Sequence, residues 1–206
     1  MTAWTFDESV ANRFQHEACT HIPDYTRVID MCLEYANRYD KKSTIIDVGS
    51  ALGYTMHSFI QSGYINVYGV DSSKNMIDKS LYPTKTFHSH LFPDLKCDLV
   101  LINWTLHFIK DKKSYLSEVY KNLNTNGSLI LTDKTVQSDY VKNMYYNFKR
   151  NNGVSDEYIY EKENLLRDYM HTEPVDWYIS SLRDIGFSKV EVINARYGFV
   201  TFLVNR

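Results

Sequence analysis

Residues 45–53 read Ile45-Ile-Asp-Val-Gly-Ser-Ala-Leu-Gly53. An aliphatic run without polar alternation suits a strand covered on both faces, and it stops at a glycine. A second glycine follows just before a helix-like stretch. Two glycines at that junction let the backbone turn sharply and let a nucleotide-like ligand approach the main chain. The same turn occurs in α/β proteins that bind nothing there, so its meaning depends on what surrounds it.

Outward from this turn, three more short β-branched or aliphatic runs occupy residues 66–70, 98–102 and 128–132, and the first run extends over 43–48. Helical stretches lie between them at 55–61, 75–80 and 113–123; in the last, Tyr115, Leu116, Val119, Tyr120 and Leu123 follow helical spacing. The alternation predicts a parallel sheet with helices on both sides, an α/β, Rossmann-like fold. Asn124-Thr-Asn-Gly127 reads as the turn that ends the third helix. The β-rich runs 189–194 and 199–204 are joined only by Ala195-Arg-Tyr-Gly198. That is too short for a helical crossover, so the two strands form an antiparallel hairpin.

Residues 7–40 look helical, with Ile22, Thr26, Ile29 and Leu33 on one face and Pro23 near a helix start. Residues 135–170 read as a Tyr-rich helical insertion ahead of a helix at 174–185. No repeat or linker-like tract divides the chain, so residues 1–206 are expected to form one domain, with 1–40 as a helical cap.

The net charge of −2 gives no global attraction to nucleic acid or to an anionic membrane. No stretch approaches the roughly 20 apolar residues of a membrane span, and the N-terminus has no leader pattern. Cys19, Cys32 and Cys97 are odd in number and widely spaced, which argues against a disulfide framework or a zinc site. These features fit a cytoplasmic protein.

Asp71 ends the second predicted strand, about 20 residues beyond the glycine turn, where a carboxylate can accept hydrogen bonds from both hydroxyls of a ribose. The turn lacks the third glycine of the dinucleotide fingerprint, and no GxxxxGK[ST] is present. An adenosine cofactor without phosphates fits best, and S-adenosylmethionine is such a cofactor. A parallel sheet closed by an antiparallel hairpin resembles the class I methyltransferases.

More specifically, the chain resembles the carboxy-S-adenosylmethionine synthase family. The resemblance rests on Phe6-Asp-Glu-Ser-Val-Ala11, Ile22-Pro-Asp-Tyr25, the Asp47 to Gly53 loop, Asn103-Trp-Thr-Leu-His-Phe108 and Asn147-Phe-Lys-Arg-Asn-Asn-Gly-Val-Ser155. It implies that Tyr25 reaches the amino-acid end of the cofactor and that Asp47, Gly49, Ser50, Ala51 and Gly53 form its loop. It further implies that Asp71 and Ser72 hold the ribose and that Asn103 closes the pocket. His88-Ser89 departs from the family beside the adenine, where an acid and a small aliphatic residue are usual. Glu163 stands where the family has an arginine that pairs with the extra carboxylate of its product. An acid there is expected to repel that carboxylate. Lys162, Arg150 and Arg196 are candidates to restore the positive charge.

Other residues carry alternatives. His107 suits an acid or base near the transferred methyl, or a packing role against the next helix. Trp104, Tyr140, Tyr145 and Tyr146 form an aromatic wall for acceptor or sulfonium, or ordinary core. Lys142, Lys149 and Arg150 suit a phosphate or carboxylate of the substrate, or a solvated helix face. His16 and His21 are spaced wrongly for a helical metal site, and no metal is expected.

Three functions follow. The first is methyl transfer from S-adenosylmethionine to an unidentified small-molecule acceptor. The second is carboxy-S-adenosylmethionine synthesis with prephenate as carboxyl donor, for transfer RNA wobble-uridine modification, as the resemblance implies. The third is a non-catalytic cofactor-binding protein. A homodimer through the 135–170 insertion is a further expectation.

Overall fold

The structure, a computed structural model, describes residues 8–206. Phe6 and Asp7 of the family-like N-terminal segment lie outside the described residues. In chain order the elements are α1 (Glu8–His21), α2 (Tyr25–Ala36), β1 (Thr44–Val48), α3 (Tyr54–Gln61), β2 (Asn66–Asp71), α4 (Lys74–Asp78), β3 (Thr86–His88), β4 (Cys97–Asn103) and α5 (Lys112–Asn122). They continue with β5 (Leu123–Lys134), α6 (Asp139–Asn151), α7 (Asp156–Leu166), α8 (Val175–Ile185), β6 (Lys189–Arg196) and β7 (Phe199–Asn205).

The seven strands form one sheet in the order β3-β2-β1-β4-β5-β7-β6. Strands β1 to β5 are parallel, whereas β7 runs antiparallel to both β5 and β6. The expected Rossmann-like sheet with its C-terminal hairpin is therefore present. The chain lays β2 and β3 on one side of β1 and then crosses back to place β4 on the other. That reversal opens a crevice at the carboxyl ends of β1 and β4.

Successive residues of each inner strand serve opposite faces, so the aliphatic runs feed two cores. Ile46, Val100, Ile102, Leu129, Leu131 and Phe202 pack with Leu116 and Val119 of α5 and Tyr178 and Leu182 of α8. Ile45, Val67, Leu99, Leu101 and Ile130 pack on the other face with Val28, Cys32 and Ala36 of α2 and Met56 and Phe59 of α3. Helices α5, α6 and α7 start at side-chain caps: Asp111 accepts the Ser114 N–H, Ser138 that of Val141 and Ser155 that of Tyr158.

Several local expectations need correction. The helical face assumed for Ile22, Thr26, Ile29 and Leu33 is only partly present: Ile22 lies in the break before α2, which starts just after Pro23 as expected, and Thr26 is exposed, whereas Ile29 and Leu33 pack inward. Pro23 lacks an N–H, and Asp24 turns left-handed at φ 58°. The buried face of α2 is Tyr25, Val28, Ile29, Cys32 and Ala36. Asn124 to Gly127 do not separate helix from strand. Strand β5 begins at Leu123, and these residues form an irregularity in the β4–β5 register, with Asn126 left-handed at φ 66°. Strand β3 was not foreseen; at three residues it is too short to show a pattern, and it pairs only with β2. Among the described residues no helix is long and apolar enough to cross a membrane.

Candidate functional site

A cavity of about 900 Å³ lies over the carboxyl ends of the parallel strands. Its floor is the β1–α3 loop together with the ends of β2, β4 and β5. Its roof comes from α1, α2, α6 and α7. Tyr25, Asp47, Gly49, Ser50, Ala51, Asp71, Ser72, Ser89, Asn103, Trp104, His107 and Glu163 all line it. Of the anticipated residues, Gly53, His88, Arg150 and Arg196 do not.

The glycine loop is tightly determined. The N–H groups of Gly49 and Ser50 both donate to the Val70 carbonyl, at 2.7 and 3.2 Å, so the loop hangs on the end of β2. Gly49 has φ 70°, and a Cβ at this position would lie 2.0 Å from Thr105 Oγ1. Gly53 is also left-handed, at φ 80°, and caps the start of α3 instead of facing the cavity. Ala51 takes φ 46° without being glycine, a cost that its surroundings must offset.

Asp71 is built into this loop. One carboxylate oxygen accepts the Ala51 N–H and the other the Ser73 N–H, each at 2.8 Å. Burial raises its pKa, while the hydrogen bonds from Ser73 and Ala51 oppose that rise. Asp47 is 3% exposed, and its carboxylate accepts no hydrogen bond from a described residue. Desolvation, followed by the charge of Asp71, pushes its pKa up to about 8. Ser50 Oγ, Asn103 Oδ1 and Trp104 Nε1 are likewise buried without partners among the described residues. Buried polar atoms are ordinarily paired, so this cluster of unmet groups around one cavity fits a polar ligand that supplies their partners. Tyr25 stacks on Trp104 with ring centroids 4.7 Å apart and forms the wall beside Asp47. His88 turns outward, its Nε2 3.2 Å from the Ser72 carbonyl oxygen, and leaves Ser89 and His90 on the cavity side.

The roof carries the charge. Glu163 hydrogen-bonds Tyr146 and pairs with Lys142, so it does not face the cavity as a bare acid. Lys149, 6% exposed, sits 4.3 Å from the Tyr145 ring centroid, and Lys134 approaches the same ring at 5.1 Å. Burial, then the charges of Lys134 and Lys162, brings the Lys149 pKa down to about 7. Burial also lowers that of Lys134. Neither lysine has an anionic hydrogen-bond partner among the described residues.

The three residues expected to supply compensating charge are each paired with an acid, and of them only Lys162 lines the cavity. Lys162 pairs with Glu17, Arg150 with Asp156 and Arg196 with Asp24. Tyr140 is 75% exposed and is no part of the aromatic wall, whereas Tyr145 and Tyr146 are buried in it. His16 is exposed, and His21 is buried with its pKa lowered to about 4, chiefly by desolvation.

Sequence reading missed the cavity-facing residues of α1, among them Phe14 and Glu17, and it missed Lys134, His90 and the 135–137 segment. None belongs to a motif. Their common signal is position just past a strand end or on the inner face of the cap.

The profile of the methyltransferase domain family matches residues 16–170. The carboxy-S-adenosyl-L-methionine synthase of Sodalis glossinidius is 31% identical, across 92% of this chain and 85% of the relative. That of Actinobacillus pleuropneumoniae serotype 5b is 28% identical over 92% and 88%. Among solved structures, magnesium protoporphyrin IX methyltransferase from Synechocystis, crystallised with bound SAH, aligns with a TM-score of 0.67 over 98% of this chain and 96% of its own, at 13% identity.

Proposed function

We propose, since the chain belongs to the methyltransferase domain family and to the group of the carboxy-S-adenosyl-L-methionine synthases within it, that it is an S-adenosylmethionine-dependent transferase passing the methyl group to a small-molecule acceptor. Residues 1–206 would act as one cytoplasmic unit, with the 135–170 insertion over the acceptor.

Asp71 carries this reading. A carboxylate offers about four acceptor positions; the Ala51 and Ser73 N–H groups use two of them, and the Ser72 backbone also bears on the carboxylate. The remaining lone pairs suit the adjacent hydroxyls of a ribose. Ser72 and Ser89 would flank the nucleoside, with His88 outside it. Gly49, Ser50 and Ala51 would lie under the cofactor, and Gly53 would hold the loop. Asp47, which accepts no hydrogen bond from a described residue, would face the ammonium at the amino-acid end beside Tyr25. Asn103 would close the pocket with its free Oδ1. When bound, the cofactor supplies a methyl group on a sulfonium, open to direct displacement. The chain contributes alignment, and it excludes water through α1, α6 and α7.

Isothermal titration with S-adenosylmethionine tests this reading. One site per chain is expected, and no binding by the folded protein refutes it.

The buried lysines favour a second reading. With Glu163 tied to Lys142 and Tyr146, Lys134 at the end of β5 and Lys149 of α6 line the cavity without an anionic hydrogen-bond partner among the described residues; an anion there would favour their protonated forms, which suits the carboxylate of carboxy-S-adenosylmethionine. Mass spectrometry of the ligand that copurifies separates the two readings, since a carboxylated species assigns the second. A homodimer through the insertion, which exposes Tyr140, Met144, Tyr160 and Leu165, is checked by sedimentation.

A further inference from the structure

We infer that His107, oriented by Asp133, is the base that takes a proton from the acceptor, and that the acceptor therefore carries a weakly acidic hydroxyl. This rests on the transfer reading above.

His107 lies in the short helical turn Leu106–Phe108 after β4, and Asp133 lies near the end of the adjacent β5. Both belong to the half of the crevice beyond β1 and β4, on the far side from Asp71 and β2. The imidazole Nδ1 is hydrogen-bonded to Asp133 Oδ1. Asp133 is fully buried, and its other oxygen accepts the Tyr178 hydroxyl at 2.7 Å. Burial and the neighbouring Asp133 drive the Tyr178 pKa upward, so Tyr178 stays protonated and donates.

These contacts fix the tautomer. Asp133 is the acceptor on both sides, so Nδ1 of the neutral ring carries the hydrogen and Nε2 carries the lone pair. His107 lines the cavity. Its Nε2 has no partner among the described residues and, unlike the Nε2 of His21, is not sealed off from open space. A buried carboxylate behind an imidazole also stabilises the imidazolium once it forms. A histidine needed only for packing has no use for a ring nitrogen left without a partner among the described residues in a side chain that lines a cavity.

The step balances without a further reagent. The acceptor's O–H proton passes to Nε2 as its oxygen lone pair forms the new bond to the methyl carbon. The electrons of the breaking C–S bond stay on sulfur, which becomes a neutral thioether, and the imidazolium returns its proton to water after release. Trp104, Phe108, Tyr145 and Phe199 line this half of the cavity, so the acceptor has an apolar body around its hydroxyl.

4-Nitrophenol, whose ionisation is visible by absorbance, tests the inference on protein loaded with S-adenosylhomocysteine at a pH where the free phenol is mostly protonated. The expected result is a protein-dependent gain of phenolate, with the apparent acidity of the phenol raised roughly tenfold. His107→Asn retains a donor toward Asp133 but has no Nε2 lone pair, and it is expected to lose the gain while binding S-adenosylhomocysteine as the parent does. Asp133→Asn frees the tautomer and is expected to reduce the gain. No phenolate with the parent protein, or equal phenolate with His107→Asn, overturns the base. If S-adenosylhomocysteine itself fails to bind the folded protein, the transfer reading falls as well, whereas binding without phenolate removes only the role of His107.

Discussion

The Asp71 carboxylate accepts the backbone N–H of Ala51 at 2.8 Å, so the acid at the end of β2 is part of the loop that follows β1. The two features that suggest a nucleoside site are therefore one object. Strain in Ala51, at φ 46°, is held by the same carboxylate that is proposed to grip the ribose.

Asp71→Ala is expected to weaken S-adenosylmethionine binding by about 1–3 kcal/mol, the range for losing hydrogen bonds to a charged group. It should also loosen the loop, since the Ala51 and Ser73 N–H groups lose their acceptor. Calorimetry decides, and unchanged affinity would refute the ribose assignment.

Gly49→Ala combines a left-handed backbone with a Cβ driven into Thr105. The first costs about 1–2 kcal/mol, and the clash adds to it. Urea unfolding is expected to reveal at least about 2 kcal/mol of destabilisation, part of it recovered in a Thr105→Ala background.

The pH dependence of the ligand-free protein has two limbs of opposite sign. Asp47 titrates at about 8 in the folded chain against an ordinary 3.8. Between those values the folded state keeps a proton that the unfolded state releases, so stability is lost as pH rises through 8. Lys149 titrates at about 7 against 10.5, so the unfolded state holds the extra proton and stability is regained above pH 7. Asp47→Asn is expected to abolish the falling limb in melting curves between about pH 4 and pH 8, and Lys149→Met the rising one between about pH 7 and pH 10.5. A falling limb that survives Asp47→Asn assigns it to another group.

Glu163→Gln removes the acid paired with Lys142 and leaves the roof more positive. The ratio of affinities for carboxy-S-adenosylmethionine and S-adenosylmethionine should shift toward the former by roughly tenfold, about 1.4 kcal/mol. Competition calorimetry measures it. An unchanged ratio would place Glu163 beyond reach of the carboxylate.

Legibility in the sequence followed the range of the interactions. The 45–53 turn, the acid at 71 and the hairpin near 195–198 were readable because each is set by neighbours along the chain, although the link is only Tyr197-Gly198, with Ala195 and Arg196 paired in β6. The face of α2 was partly misread because a single left-handed residue, Asp24, resets the helical phase, and Asp is no stronger a signal for that conformation than for many others. The effect of Glu163 was not readable, since its partners Lys142 and Tyr146 lie on a different helix.

The alternation of buried strands with helices, the glycine turn and the acid that faces it were determined by the sequence itself, because hydrophobic period and backbone stereochemistry act locally. The tertiary structure alone decided which side chains share the cavity. It brought His107 to Asp133 across 26 positions, Asp133 to Tyr178 across 45 and Lys162 to Glu17 across 145. Such contacts depend on strand order and on how the cap settles over the sheet, and no local pattern encodes either.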